Sequence, residues 1–236
     1  MFVPIYDDNA LKSIPFQFVT VVLIALNVAA FLALELGQAA SFAIVPAELM
    51  KVGYFGGSAN GPFDLIPVPE YLTVLTYMFF HANIWHLLGN MLFLWVFGDN
   101  VEDAVGHFKF LVFYLLCGIG AALVHAHITP TPERPLIGAS GAVAGVIAAY
   151  LILHPKVRVW VLVARIIPLR IPAYLALGAW VLFQVAMIYL TAAGLIQGPV
   201  AWWAHIGGLL TGAILILIMR RPGVPLFDRG MPHASA

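Results

Sequence analysis

Apolar residues gather into six long runs separated by short polar stretches. The runs predict helices at about residues 16–36, 76–97, 108–128, 139–153, 172–193 and 200–219. A helix rises about 1.5 Å per residue and a bilayer core is about 30 Å thick, so runs of roughly 20 residues suit membrane crossing. The pattern therefore predicts an all-α integral membrane protein, a six-transmembrane-helix bundle. It leaves one membrane domain over residues 1–236, with short tails at about 1–15 and 220–236. The first run is longer than a signal-peptide core and follows only one basic residue, Lys12, so it is kept as a helix. The longest connection, at about residues 37–75, is rich in Gly and Pro. It carries apolar pairs such as Tyr54-Phe55 and Leu65-Ile66, which fits a loop resting in the membrane interface.

Composition agrees with the pattern. Hydrophobic residues make up 62% of the chain and charged residues 9%, against about 25% charged in ordinary soluble domains. A net charge of zero argues against nucleic acid as a partner and leaves the lipid bilayer as the medium. The one cysteine, Cys117, lies in an apolar run and reads as a small buried side chain. Basic residues set the orientation. With both termini cytoplasmic, Lys12, Lys109, Lys156, Arg158, Arg165, Arg170, Arg220, Arg221 and Arg229 lie inside, and only Lys51 and Arg134 lie outside. That bias predicts a multi-pass protein of the cell (plasma or inner) membrane.

The same topology puts His86, Asn90, Ser140 and His205 in the outer half of the membrane. The fourth run is short: about 16 residues span about 24 Å, so its helix starts below the outer surface. Ser140 then falls in its first turn, where backbone N–H groups lack intrahelical partners. Gly138 and Gly141 flank it and let the chain bend and other groups approach. Gly141, Ala144, Gly145 and Ala148 line one face of the fourth helix, and Gly208 and Gly212 follow His205 on the sixth. Small residues let helices pack closely in lipid, which would bring Ser140 to His205. An ionisable side chain at that depth is a candidate functional residue.

A neutral imidazole beside a serine hydroxyl can take its proton during attack on a carbonyl and return one to the leaving amine. No Asp or Glu lies near His205 in the predicted helices. The expectation is a Ser-His dyad whose histidine is oriented by packing or by a neutral partner. His86 and Asn90 are four apart, on one helix face, and both can donate hydrogen bonds. With the Ser140 N–H they would form an oxyanion hole.

The ordered set of His86-x-x-x-Asn90, Gly138-x-Ser140-Gly141 and Ala204-His205-x-x-Gly208 resembles the rhomboid family of intramembrane serine proteases. The resemblance runs from the first helix to about Arg221. It implies a six-helix core with Ser140 as nucleophile, His205 as general base, and His86 and Asn90 stabilising the oxyanion. It also implies cleavage of transmembrane segments of other membrane proteins, with no metal and no organic cofactor. His81, Asn83, His86 and Asn90 offer a polar track for water. The Gly194–Pro199 loop and the fifth helix are candidates for a moving gate, and Trp202 and Trp203 either belong to it or anchor the interface. Two other classes compete with this reading. A His-lined metal transporter would need carboxylates, thiolates or a His-x-x-x-His pair at membrane depth. A non-catalytic protein that binds transmembrane helices would have no need of Ser140 and His205 together.

Overall fold

A computed structural model describes residues 2–53, 65–163, 166–196, 198 and 200–228. Tyr54, Phe55, Arg165, Arg229, Pro199 and the end of the C-terminal tail lie outside the described residues. Nine α-helices occur among those described: α1 (Phe18–Ala33), α2 (Leu36–Ala40), α3 (Pro46–Val52), α4 (Glu70–Thr76), α5 (Ile84–Val105), α6 (His107–Ile128), α7 (Ser140–Leu153), α8 (Ala173–Ala192) and α9 (Trp202–Met219). Three strands accompany them: β1 (Phe2–Asp7), β2 (Arg158–Val163) and β3 (Ile167–Pro172). The chain is thus mostly helical rather than all-α. By length and composition α6, α8 and α9 can each cross a bilayer, and α1 and α7 are shorter apolar helices.

Helix α1, α6, α7, α8 and α9 fall on five of the predicted runs, while the second is displaced. Helix α5 begins at Ile84 because Asn83, in an extended conformation, accepts the His86 N–H at 2.9 Å as an N-cap. It runs on to Val105, through Asp99, Glu102 and Asp103. Of the residues expected to open that run, Thr76 ends α4 and Tyr77–Phe79 form a 3₁₀ turn. Helix α7 stops at Leu153 as expected, since Pro155 follows the cap residue His154 and disfavours helical backbone before it.

Helix α9 packs centrally against both α6 and α7. A Cβ on Gly208 would collide with the Gly141 carbonyl oxygen, and one on Gly212 with that of Gly145. The two small-residue stripes therefore meet backbone to backbone, the close approach expected of glycine-rich faces in lipid. This contact sets the register between α7 and α9 and so the height of His205 beside Ser140.

At the opposite end the three strands form an antiparallel sheet in the order β1-β2-β3. The segment Arg158-Val-Trp-Val-Leu-Val alternates, with Val159 and Val161 fully buried against the helices while Arg158 and Trp160 face outward. Two adjacent acids in the last turn of α5 tie down the N-terminal segment. Glu102, fully buried, accepts the Val19 and Thr20 N–H groups at 2.9 and 2.8 Å and the Thr20 hydroxyl at 2.7 Å. Asp103 accepts the N–H groups of Lys12, Ser13 and Ile14. A carboxylate at the start of α1 satisfies amides the helix cannot and complements its dipole.

Candidate active site

Ser140 is the first residue of α7, and the chain leading to it is held at every step. Leu136 exchanges two backbone bonds with Ile44, the Gly138 N–H donates to the Tyr77 carbonyl at 3.0 Å, and the Ala139 N–H donates to His81 Nε2 at 3.4 Å. The Tyr77 hydroxyl in turn donates to the Gly118 carbonyl on α6 at 2.8 Å. Gly138 has φ +122°, a conformation L side chains rarely adopt, and a Cβ there would sit 2.5 Å from Cε1 of His86. Glycine is required on both counts, for the turn and for the imidazole that lies over it.

His205 lies in the first turn of α9, 8% exposed. Its Nε2 is 2.9 Å from Ser140 Oγ, and its Nδ1 is 2.7 Å from Oε1 of Gln184 on α8. The Gln184 amide NH₂ donates to the Trp180 carbonyl at 3.3 Å, which leaves its oxygen for the imidazole. An amide oxygen only accepts, so Nδ1 carries the proton and Nε2 is the lone-pair nitrogen that faces the serine hydroxyl. Trp180 and Trp202 both pack by the ring, each with its centroid 5.9 Å away. These indoles limit the ring's rotation without placing a charge on it.

His86 lies beside Gly138, and Asn90, one turn further along α5, shares its helix face. Asn90 is 7% exposed, and its Nδ2 has no hydrogen-bond acceptor among the described residues. A buried donor left without an acceptor costs about 1–3 kcal/mol. Such a donor is suited to an anion that forms only during a reaction. Gly141 packs against α6 and α9, and Gly208 against α7. His81 and Asn83, named for a water path, each make a specific bond. His81 receives the Ala139 N–H, and Asn83 caps α5.

Gln184 is the site residue that sequence reasoning missed. Its signal was available: a long amide in the middle of an otherwise apolar run has to find partners in lipid. Trp180 was also missed, because an aromatic in an apolar helix carries no mark of function by itself. Trp202, given two roles from sequence, packs on His205 and on Phe183 of α8. Of the loop 194–199, the described part includes Gly194 at φ +71°, whose N–H donates to the Thr191 carbonyl and closes α8. Among the described residues no three His, Cys, Asp or Glu side chains converge as metal ligands.

Residues 68–222 match the family model described as Rhomboid domain. The chain is 32% identical over 175 residues to Rhomboid-like protein 11, chloroplastic, of Arabidopsis thaliana, an alignment that covers 71% of this chain and 59% of that protein. It is 35% identical over 152 residues to Rhomboid protease AarA of Providencia stuartii, covering 58% and 52%. It is 30% identical over 153 residues to Rhomboid protein 1, mitochondrial, of Saccharomyces cerevisiae, covering 62% and 41%. The chain spans about half the length of these curated relatives. The matched region contains His86, Asn90, Ser140, Gln184 and His205, and with its match over residues 68–222 the chain belongs to the rhomboid family.

Proposed function

We propose that the protein is an intramembrane serine endopeptidase that cleaves transmembrane segments of other membrane proteins. The observation that carries this reading is the continuous chain Ser140 Oγ–His205 Nε2 at 2.9 Å and His205 Nδ1–Gln184 Oε1 at 2.7 Å. In the first step Oγ attacks the scissile carbonyl carbon while Nε2 takes the hydroxyl proton. The negative charge forms on the former carbonyl oxygen, where His86, Asn90 and the Ser140 N–H are the donors. Collapse breaks the C–N bond, and the imidazolium gives its proton to the departing amine. Water then repeats the sequence on the acyl-enzyme with His205 again as base. Gln184 keeps the imidazole in the productive tautomer, the part an aspartate plays in soluble serine proteases.

The wider frame belongs to the same proposal. The chain is one membrane domain over 1–236 that crosses six times, by α1, α5, α6, α7, α8 and α9. Both termini are cytoplasmic, in a plasma or inner membrane, as the distribution of basic residues favours. Substrate enters beside α8, whose buried positions are confined to Ala173, Ala176, Leu177 and Gln184.

The test is labelling of the purified full chain with a serine-directed fluorophosphonate. The expected adduct is on Ser140, absent in Ser140→Ala and sharply reduced in His205→Ala. Labelling elsewhere, or none in folded wild-type protein, would overturn the assignment. Cleavage of a transmembrane substrate is expected to survive chelators; loss that zinc restores would favour a metal mechanism.

A further inference from the structure

The sheet at the inner end is covered on one face over only part of its width. Residues directly opposite in an antiparallel pair share a face, and Val159 pairs with Ile171, Val161 with Leu169 and Val163 with Ile167. Val159 and Val161 on β2 are fully buried in the main core. One strand further out, on the same face, Leu169 is 42% exposed and Ile167 51%. These side chains point the same way as the buried valines, yet the described residues leave about half of each uncovered. Strand β1 tucks under α5, whereas β3 is the free edge beside α8. The sheet therefore projects past the rim of the helix bundle, apolar side towards the helices.

What covers the projecting part follows from continuity. Strand β3 ends at Pro172 and α8 begins at Ala173, with Tyr174 and Leu175 half exposed in its first turn. Helix α8 is long and apolar enough to cross a bilayer and is mostly unburied within the protein, so its outer surface is a lipid surface. Ile167 and Leu169 lie on the strand that runs directly into that helix. The opposite sheet face carries Arg158, Trp160 and Arg170, with Arg170 paired to Asp8 at 2.7 Å. An aromatic residue and cations beside an apolar surface form the pattern of a headgroup-layer contact.

We infer that the β2–β3 hairpin is an interfacial foot, whose Ile167 and Leu169 rest in the inner-leaflet boundary next to α8 while Arg158 and Arg170 face the aqueous side. The partner is the bilayer the protein sits in. A foot of this kind fixes the depth of α8 and hence the height of Gln184 relative to His205. The inference rests on the membrane-spanning reading of α8, not on proteolysis, and its test separates the two.

Single cysteines replace Ile167, Leu169, Arg170 and Leu182, the last an exposed position on α8; each carries a nitroxide, and the full chain is reconstituted in phosphatidylcholine and phosphatidylglycerol vesicles. Oxygen, which concentrates in lipid, and a water-soluble nickel chelate then compete for relaxation of the label. At 167 and 169 the oxygen-to-nickel accessibility ratio is expected to resemble that at 182 and to exceed that at 170 several-fold. A ratio at 167 and 169 equal to that at 170 would overturn the foot, with 182 still lipid-like. Protection of 167 and 169 from both reagents would overturn it in favour of a protein partner. A water-like ratio at 182 would overturn the membrane-spanning reading of α8 itself. All four positions are surface positions, and Ile167→Ser with Leu169→Ser, expected to leave fluorophosphonate labelling of Ser140 present but to lower vesicle-bound thermal stability more than stability in detergent, gives a second reading that needs no label.

Discussion

The two ends of the helix bundle solve the burial of polar groups in opposite ways. Around Ser140 the polar side chains are all formally neutral: a hydroxyl, three imidazoles and two amides, linked through Ser140–His205–Gln184 and Ala139–His81. At the other end the buried groups include carboxylic acids. Glu102 and Asp103 are clasped by seven donors, five backbone amides, the Thr20 hydroxyl and Nδ1 of His107, and Asp7 receives the Tyr150 hydroxyl and the Asn100 amide. The difference teaches what each end is for. Buried ionised groups are stable only when fully satisfied, so the acids make fixed joints. Neutral groups can leave a donor such as Asn90 unpartnered at lower cost, so the other end can accommodate charge that appears only during a reaction.

The sharpest way to break the comparison is to remove a group at the neutral end. Ser140→Ala is expected to lower substrate cleavage by about 10⁴-fold or more, while thermal unfolding in detergent stays near that of wild type. A melting temperature that falls along with activity would mean that the serine is a structural joint like the acids.

The converse holds for Glu102. Glu102→Ala leaves two amides at the start of α1 and the Thr20 hydroxyl without an acceptor in a fully buried place. The expected cost is about 3 kcal/mol of stability, read as a lower unfolding temperature. Below that temperature the rate of fluorophosphonate labelling at Ser140 should be close to wild type. A selective loss of labelling in a protein that remains stable would remove the division between the two ends.

Gln184 tests whether the neutral end needs an orienting partner. In Gln184→Leu the imidazole loses one hydrogen bond, worth about 1 kcal/mol, so kcat is expected to fall about 5-fold with KM little changed. Gln184→Glu restores an acceptor and should recover most of the rate, in a pH-dependent manner that wild type lacks. Equal loss in both variants would point to packing rather than orientation.

How far the sequence disclosed this arrangement depended on the kind of signal. Five of the six apolar runs lie on observed helices, because runs of that length have few alternatives in a membrane. The approach of Gly208 to Gly141 followed from small residues at helical spacing, and with it the meeting of Ser140 and His205. The start of α5 was misplaced by eight residues' worth of apolar chain, because Asn83 acts as a cap and Tyr77 as a support for the serine loop. The sheet was invisible. Strand β1 lies more than 150 residues from its partner β2 in sequence, and short alternating segments between membrane helices read as ordinary connections. Gln184 was legible as an odd residue, but its partner on another helix was not.

Asp7 is an acid whose surroundings oppose its ionisation. Burial, reinforced by the nearby carboxyls of Asp99 and Asp8, raises it from 3.8 to about 7, although the Tyr150 hydroxyl donates to it and works the other way. The groups around this pocket are Asp8 with its partner Arg170 on the sheet, Asp99 on α5, and Tyr150 on α7 with Asp228 within electrostatic reach. A raised folded value means that the unfolded chain releases this proton first as pH rises. The contribution of Asp7 is therefore fully present below about pH 4 and is lost by about pH 7. Asp7→Asn, which cannot ionise, isolates that change. The stability of wild type minus that of the variant should decline between about pH 4 and 7 and then level off. Glu102 and Asp103 are present in both proteins and cancel in the difference. A flat difference would mean that folding leaves the ionisation of Asp7 unchanged, and a rise with pH would mean that the Tyr150 and Asn100 bonds outweigh burial, so that Asp7 favours its charged form.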